Sequence, residues 1–237
     1  MPGIVQAQKG LKIGFFALPQ NTWLSNSDDW SAAKDVFTHK VTFGMAAGGT
    51  FGYNFTQHLG VRSNFIYSLQ GQRWQSKNAK LDIVTHNKRM HYFKVPIMIG
   101  FNTNTKLSKI IFSMYGGFQG GLLVRARYYN DDQSYVPDVE LFSDIIDWPS
   151  DYRQHQWYDY GPVGEIGVDV KLTYNVMANV RIRADYSLVD AENKNVTYRQ
   201  IENGIPVVRK FYPETRPVTT NMTGGILFGV TWTLTEQ

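Results

Sequence analysis

The 237-residue chain contains no cysteine. This excludes a disulfide scaffold, a thiolate metal site and a cysteine nucleophile. Charge is scarce too: Asp, Glu, Lys and Arg make up 19% of residues, below the roughly 25% typical of globular domains. The net charge of +4 comes without a dense Lys/Arg run, so no nucleic-acid partner is expected despite a pI near 9.1. No apolar stretch of about 18 residues occurs, which excludes helical membrane spans. Motifs of catalysis are missing: there is no H-E-x-x-H, no G-x-S-x-G and no P-loop. The five histidines, His39, His58, His86, His91 and His155, show no metal-ligand spacing. No cofactor or metal is expected.

In surplus are 21 Gly, 14 Tyr, 14 Phe and 6 Trp. Such a composition favours strands and turns over a helical bundle. Period-2 alternation carries the argument further, because successive side chains of a strand point to opposite faces. In the stretch 93–101, Phe93, Val95, Ile97, Ile99 and Phe101 share one face, opposite Lys94, Pro96, Met98 and Gly100. Ile166, Val168, Val170 and Leu172 oppose Glu165, Asp169 and Lys171. Val180, Ile182, Ala184 and Tyr186 oppose Arg181, Arg183 and Asp185, and Ile226, Phe228, Val230 and Trp232 oppose Gly225, Gly229 and Thr231. Four further segments, beginning near Leu11, Phe43, Val61 and Ile110, alternate in the same way. In the last of these, Val124 falls on the apolar face and Arg125 on the polar one. The expectation is eight antiparallel strands.

The connections alternate in length. Short ones fall at 56–59, 102–109 and 175–177, and long ones at about 19–40, 74–90, 127–156 and 189–218. This is the plan of an up-and-down transmembrane β-barrel, with short periplasmic turns and four long extracellular loops. One barrel domain is expected over residues 10–237. Val5-Gln6-Ala7 has the small-x-small form of a signal-peptide end, so residues 1–9 are expected to be a signal remnant or an N-terminal tail.

Alternation alone also suits a soluble, lipocalin-like ligand-binding barrel with its apolar face inward. Two features favour the inverted arrangement. The polar face mixes glycines (Gly44, Gly48, Gly52, Gly117, Gly121, Gly225, Gly229) with few long charges, as a narrow lumen requires. The apolar face carries aromatics at both ends: Phe43, Tyr67, Phe93, Tyr158 and Tyr186 towards the long loops, and Tyr53, Phe55, Phe101, Tyr174 and Trp232 towards the short turns. These are the positions of two membrane-interface girdles.

The segment His91-Tyr92-Phe93-Lys94-Val95-Pro96-Ile97-Met98-Ile99-Gly100-Phe101 resembles the fourth strand of the PorT-like outer-membrane β-barrel family, common in Bacteroidetes. Leu59 to Ser68 is similar to that family's third strand, and Gly224 to Trp232 to its closing strand. The resemblance spans nearly the whole chain from Gly10. It implies an outer-membrane location and a small barrel, in a functionally diverse family with one branch tied to type IX secretion. The chain departs from many outer-membrane barrels in ending Leu234-Thr235-Glu236-Gln237 rather than on an aromatic residue.

The charges assigned to the lumen are Lys12, Arg62, Lys94, Arg125, Lys171, Arg181 and Arg183, against Asp159, Glu165, Asp169 and Asp185. An eight-stranded barrel is about wide enough for its side chains to fill it. Charges held away from bulk water need partners, so an ion-pair network plugging the lumen is expected. The short turn between the sixth and seventh strands is expected to bring Asp169 near Arg183. The surplus of positive residues leaves a small-solute or small-anion passage as an alternative. His39 with Ser25, Ser27 or Asp28 at the outer rim offers a further one, a lipid-modifying enzyme. The long loop 127–156 is acidic, and the loop 189–218 is basic, with Lys194, Arg199, Arg209, Lys210 and Arg216. The sequence thus points to a non-enzymatic outer-membrane barrel, structural or accessory in an envelope assembly. Its expected partners are membrane lipid, lipopolysaccharide and other envelope proteins.

Overall fold

The computed structural model describes residues 10–27, 37–77, 83–104, 108–130, 135–136, 155–202, 205–210 and 215–234. The expected signal remnant, residues 1–9, lies outside them. Twelve strands are described: β1 (Gly10–Ser25), β2 (Phe37–Lys40), β3 (Thr42–Asn54), β4 (Leu59–Lys77), β5 (Ile83–Asn102), β6 (Ile110–Asn130), β7 (Tyr135–Val136), β8 (Tyr158–Lys171), β9 (Val176–Tyr186), β10 (Thr197–Glu202), β11 (Ile205–Lys210) and β12 (Thr220–Leu234). Eight of them close a ring in the order β1-β3-β4-β5-β6-β8-β9-β12, with β12 returning to β1. Every neighbouring pair in the ring is antiparallel. Closure leaves no free edge, and every strand pairs on both sides, as a hydrocarbon environment demands. No described helix is long and apolar enough to cross a membrane.

The alternation read from the sequence appears directly as exposure. Along β5, Phe93, Val95, Ile97, Ile99 and Phe101 are exposed, whereas Tyr92, Lys94, Met98 and Asn102 are buried. Arg183, 1% exposed, alternates with Ile182, 63% exposed. The apolar face is therefore outside and the polar face inside. This overturns the soluble, lipocalin-like alternative, whose core would hold the Ile and Phe side chains. Small residues permit the tight inner curvature. A Cβ added to inward-facing Gly117 would stand 2.0 Å from the Ile97 carbonyl oxygen, while one on outward-facing Gly116 would meet nothing within 4 Å.

At the short-turn end the connections are tight, with β3, β5 and β8 ending at Asn54, Asn102 and Lys171. At the other end the wall rises higher than expected. The segment 74–90, expected as a long loop, is largely strand: β4 continues to Lys77 and β5 starts at Ile83, paired through Lys77↔Ile83. β1 and β6 likewise extend to Ser25 and Asn130, and β10 and β11 form a hairpin within the expected loop 189–218. Polar strand-formers such as Thr85 and Gln75 continue the ladder above the apolar band. A hydropathy reading ends the strands too early for that reason. Most of the acidic segment 127–156 lies outside the described residues.

Candidate functional site

Inside the ring, four elements place the charges. β8 supplies Asp159, Glu165 and Asp169; β9 supplies Arg181, Arg183 and Asp185; β4 and β5 supply Arg62 and Lys94. All but Asp159 meet in three tiers along the barrel axis. In the tier nearest the short turns, the Arg181 guanidinium pairs with Asp169, donates to Ser113 Oγ at 3.1 Å, and Asn179 donates to the same carboxylate at 2.9 Å. In the middle tier Glu165 lies between two guanidiniums, Arg183 Nη1 at 2.6 Å and Arg62 Nη1 at 3.3 Å. Asn64 adds a donor at 3.3 Å. Arg183 also donates to Gln119 at 2.9 Å, and Arg62 to Thr50 at 3.0 Å. In the upper tier Lys94 Nζ donates to Asp185 Oδ1 at 2.8 Å, and Thr223 to Oδ2 at 2.7 Å.

Tyr115 joins the lower tiers, with the Arg62 and Arg181 guanidiniums 5.2 and 5.1 Å from its ring centroid. Above the ion pairs, Gln20 donates to Ser68 at 2.8 Å, Gln70 to Ser68 at 2.9 Å, and Asn221 to Gln70 at 2.7 Å. In the lower lumen, a cavity of about 20 Å³ lies among Lys12, Thr50, Arg62, Tyr115, Asp169 and Arg181. It has room for about one water-sized molecule.

Three sequence expectations are corrected here. The first is Arg125. The β5–β6 register pairs Tyr92 with Leu123 but His91 with Arg125, so Val124 is the extra residue of a β-bulge. The bulge reverses the inside–outside phase beyond it. Leu123 and Ala126 are buried inside, and Arg125 shares the outer face with His91. The second is the partner of Asp169. A four-residue turn, 172–175, sets the pairs Asp169↔Asn179 and Glu165↔Arg183, so Arg183 meets Glu165 and Asp169 meets Arg181. The third is the extent of the ion-pair plug. Phe16, Leu18, Ala46, Ile66 and Leu227 form a buried apolar cluster on the β12-β1-β3-β4 side, so ion pairs fill only part of the interior.

Lys12 lines the lower cavity, and Asp159 is buried opposite Gly121. Lys171 ends β8 at the rim and is only partly covered. The uncharged partners Asn64, Ser113, Tyr115, Gln119, Asn179 and Thr223 were not singled out from sequence. Their signal is that they fall on the same alternate positions as the charges. His39 sits on β2 opposite Trp74, with Gln72 Nε2 3.3 Å from its Nδ1; Asp28 lies outside the described residues.

The outer face carries all ten expected girdle aromatics in exposed positions. Phe43, Tyr67, Phe93, Tyr158 and Tyr186 stand towards the long-loop end, and Tyr53, Phe55, Phe101, Tyr174 and Trp232 towards the short-turn end. Neighbours pack edge to face: Tyr67 on Phe93 at 5.4 Å, Tyr53 on Phe55 at 5.4 Å, and Phe15 on Trp232 at 6.3 Å.

Among solved structures, the chain is similar to Neisserial surface protein A, at 13% identity and TM-score 0.48, covering 95% of this chain and 97% of that one. It is also similar to OprG from Pseudomonas aeruginosa, at 12% identity and TM-score 0.47, covering 97% and 99%. The attachment invasion locus protein Ail of Yersinia pestis matches at 12% identity and TM-score 0.41, covering 94% and 98%. No curated protein sequence matches significantly. The profile of the family described as outer membrane protein beta-barrel domain matches residues 6–193. With a closed antiparallel ring, an apolar exterior and a paired polar lumen, the chain belongs to the outer-membrane protein β-barrel domain family and is an integral protein of the bacterial outer membrane.

Proposed function

We propose that this barrel is a closed, non-catalytic scaffold that holds its long loops at the cell surface as a structural or accessory part of an envelope assembly. The observation that carries the reading is the filled lumen. Three tiers of ion pairs, the lower two joined through Tyr115 and the upper two through Arg183 and Asp185, surround a cavity of about 20 Å³ in the lower interior. A conducting pore needs a continuous wet path, and buried pairs of this kind hold it shut. The resemblance of the stretch 91–101 to PorT-like barrels supports a role in an assembly rather than in solute transport. In this reading the short turns face the periplasm, as in other outer-membrane barrels. Planar-bilayer recording tests closure: no discrete conductance is expected from the purified protein, and stable single-channel steps would refute it. Crosslinking in intact cells followed by mass spectrometry tests the assembly role. Reproducible capture of the same envelope proteins is expected, and the absence of protein adducts at wall and loop positions would count against it.

A further inference from the structure

Charge is unevenly distributed along the barrel axis. The two tiers nearest the short turns set Arg62, Arg181 and Arg183 against Glu165 and Asp169. Lys12, on β1 beside the lower tier, adds another cation. Towards the long loops the balance reverses: Lys94 pairs with Asp185, and Asp159 is buried across Gly121 from it. Arg183 spans the two halves, with its Nε 3.9 Å from Asp185 Oδ2. Even with Arg183 shared upward, the lower lumen holds more positive than negative charge. That surplus is costly in a barrel that crosses hydrocarbon, because buried charge needs a counter-charge.

The surplus converges on the small lower cavity. Lys12, Arg62 and Arg181 line it, with Asp169 as the carboxylate in its lining. The hydrogen bonds show which donors are already engaged. Arg62 gives Nε to Asn64 at 3.2 Å and Nη2 to Thr50 at 3.0 Å, and holds Nη1 3.3 Å from Glu165. Arg181 gives Nε to Ser113 and Nη2 to Asp169. Its Nη1, in a side chain only 2% exposed, meets no acceptor among the described residues. Asp169 Oδ1 is held by Arg181 and Asn179, and Lys12 forms no salt bridge among the described residues. Two cationic donors are thus left beside one space. A buried N–H without an acceptor carries its full desolvation cost. Tyr115 fixes one wall of the cavity, and Gly100 gives its ring room, since a Cβ there would stand 2.2 Å from Tyr115 Cδ1. The volume of about 20 Å³ suits one sphere of about water size and is too small for phosphate or sulfate.

We propose that this cavity binds a single monovalent anion of chloride size, held by Lys12 Nζ and Arg181 Nη1. The ion supplies the missing acceptor, offsets the positive surplus and links β1 to β9 across β12. A water molecule accepts from Arg181 equally well but leaves the surplus in place. Lys12 is only partly covered and stands at the short-turn end, so the ion enters from that side. The site goes beyond the closed-scaffold reading: the anion is a resident counter-ion within the plug, not a solute in transit.

The test is urea unfolding in zwitterionic vesicles at constant ionic strength, with chloride or bromide replacing gluconate, an anion too large for the cavity. One ion bound only by the folded state raises the folding equilibrium constant about tenfold per decade of halide above its dissociation constant. A general salt effect follows the concentration itself rather than its logarithm. The unaltered protein is expected to show the tenfold rise, and K12M to lose it. Crystals grown in bromide are expected to show an anomalous peak beside Lys12 and Arg181. Equal stability in halide and gluconate, an unchanged halide response in K12M, or no bromide peak overturns the proposal. Should K12M fail to fold, the halide titration and the bromide peak of the unaltered protein decide. Bilayer recording keeps the two readings apart. A non-conducting barrel without a halide response loses the anion site and keeps the closed lumen, whereas a conducting barrel with the bromide peak keeps the site and loses closure.

Discussion

Glu165 is the most exacting test of the lumen network, because one carboxylate there answers two guanidiniums. Its side chain is fully buried, with Arg183 at 2.6 Å and Arg62 at 3.3 Å. At an effective dielectric near 20, the 2.6 and 3.3 Å contacts correspond to gross attractions of ~6 and ~5 kcal/mol. Much of this is offset by desolvation of the three groups. The substitution Glu165→Gln keeps the shape but removes the charge, and its amide N–H groups face N–H donors. Removing one partner from a buried charge cluster costs ~3–5 kcal/mol, since the remaining charges stay buried and uncompensated. That is about two to nearly four orders of magnitude in the folding equilibrium constant. Urea unfolding in phospholipid vesicles, followed by tryptophan fluorescence and by heat-modifiable gel mobility, reads the loss. Adding Arg183→Met should restore part of it, with a coupling of at least ~1 kcal/mol between the two sites. If Glu165→Gln stays within ~0.5 kcal/mol of the native protein, the tiers do not hold the lumen together and the reasoning fails.

Three other outcomes follow from the same geometry. Ile97 lies midway between the Phe93 and Phe101 girdle positions and is 69% exposed, so Ile97→Arg should cost ~2–4 kcal/mol in the same unfolding assay. The equivalent Phe55→Arg at the short-turn end should cost only ~0–1 kcal/mol. Gly117→Val should prevent or markedly slow insertion into vesicles, because its Cβ would collide with the Ile97 backbone, whereas Gly116→Val should fold normally and be read as such by gel mobility. Lys94→Met should destabilise the barrel by leaving Asp185 with only Thr223 and the Arg183 guanidinium 3.9 Å away, and Lys94→Met with Asp185→Leu should recover much of the loss in urea titrations, since a buried pair can be replaced by packed apolar groups.

The reading from sequence was most successful where a strand keeps strict alternation. From Phe93 to Phe101, and from Arg181 to Asp185, the face of every residue follows from counting by two, because both the lipid and the lumen select side chains along the whole length. The count fails at Val124. Val, Leu and Ala are acceptable to either environment, so the sequence Leu122-Leu123-Val124-Arg125-Ala126 carries no signal of where its phase changes; only the pairing with Tyr92 and His91 fixes it. Partner choice failed for a related reason. Which arginine meets Asp169 depends on the length of the turn at 172–175, because each change of two residues slides the register by two and keeps the faces; the observed turn sets Asp169 opposite Asn179, and the diagonal reach of Arg181 then completes the pair. The upper strand extensions were hidden because Thr85, Gln75 and Asn87 have no apolar face to alternate with.

These failures share one physical origin. Alternation is enforced only where two different solvents press on the two faces of a strand. Above the girdle, both faces of β4, β5 and β6 leave the apolar band, so the constraint lapses and the wall is free to vary. Here the bulge turns Arg125 and Arg127 outward, the β2–β3 break interrupts the pairing with β4, and acidic residues are absent from the three strands. Below the girdle, every cation described in contact is matched by a carboxylate on β8 or β9. The described lumen pairs thus draw all their carboxylates from two neighbouring strands and their cations from β4, β5 and β9. Structural demands account for that arrangement, because charges buried from water must pair, and the pairing holds only where the alternation of β8 and β9 keeps carboxylate and guanidinium on the same inner face.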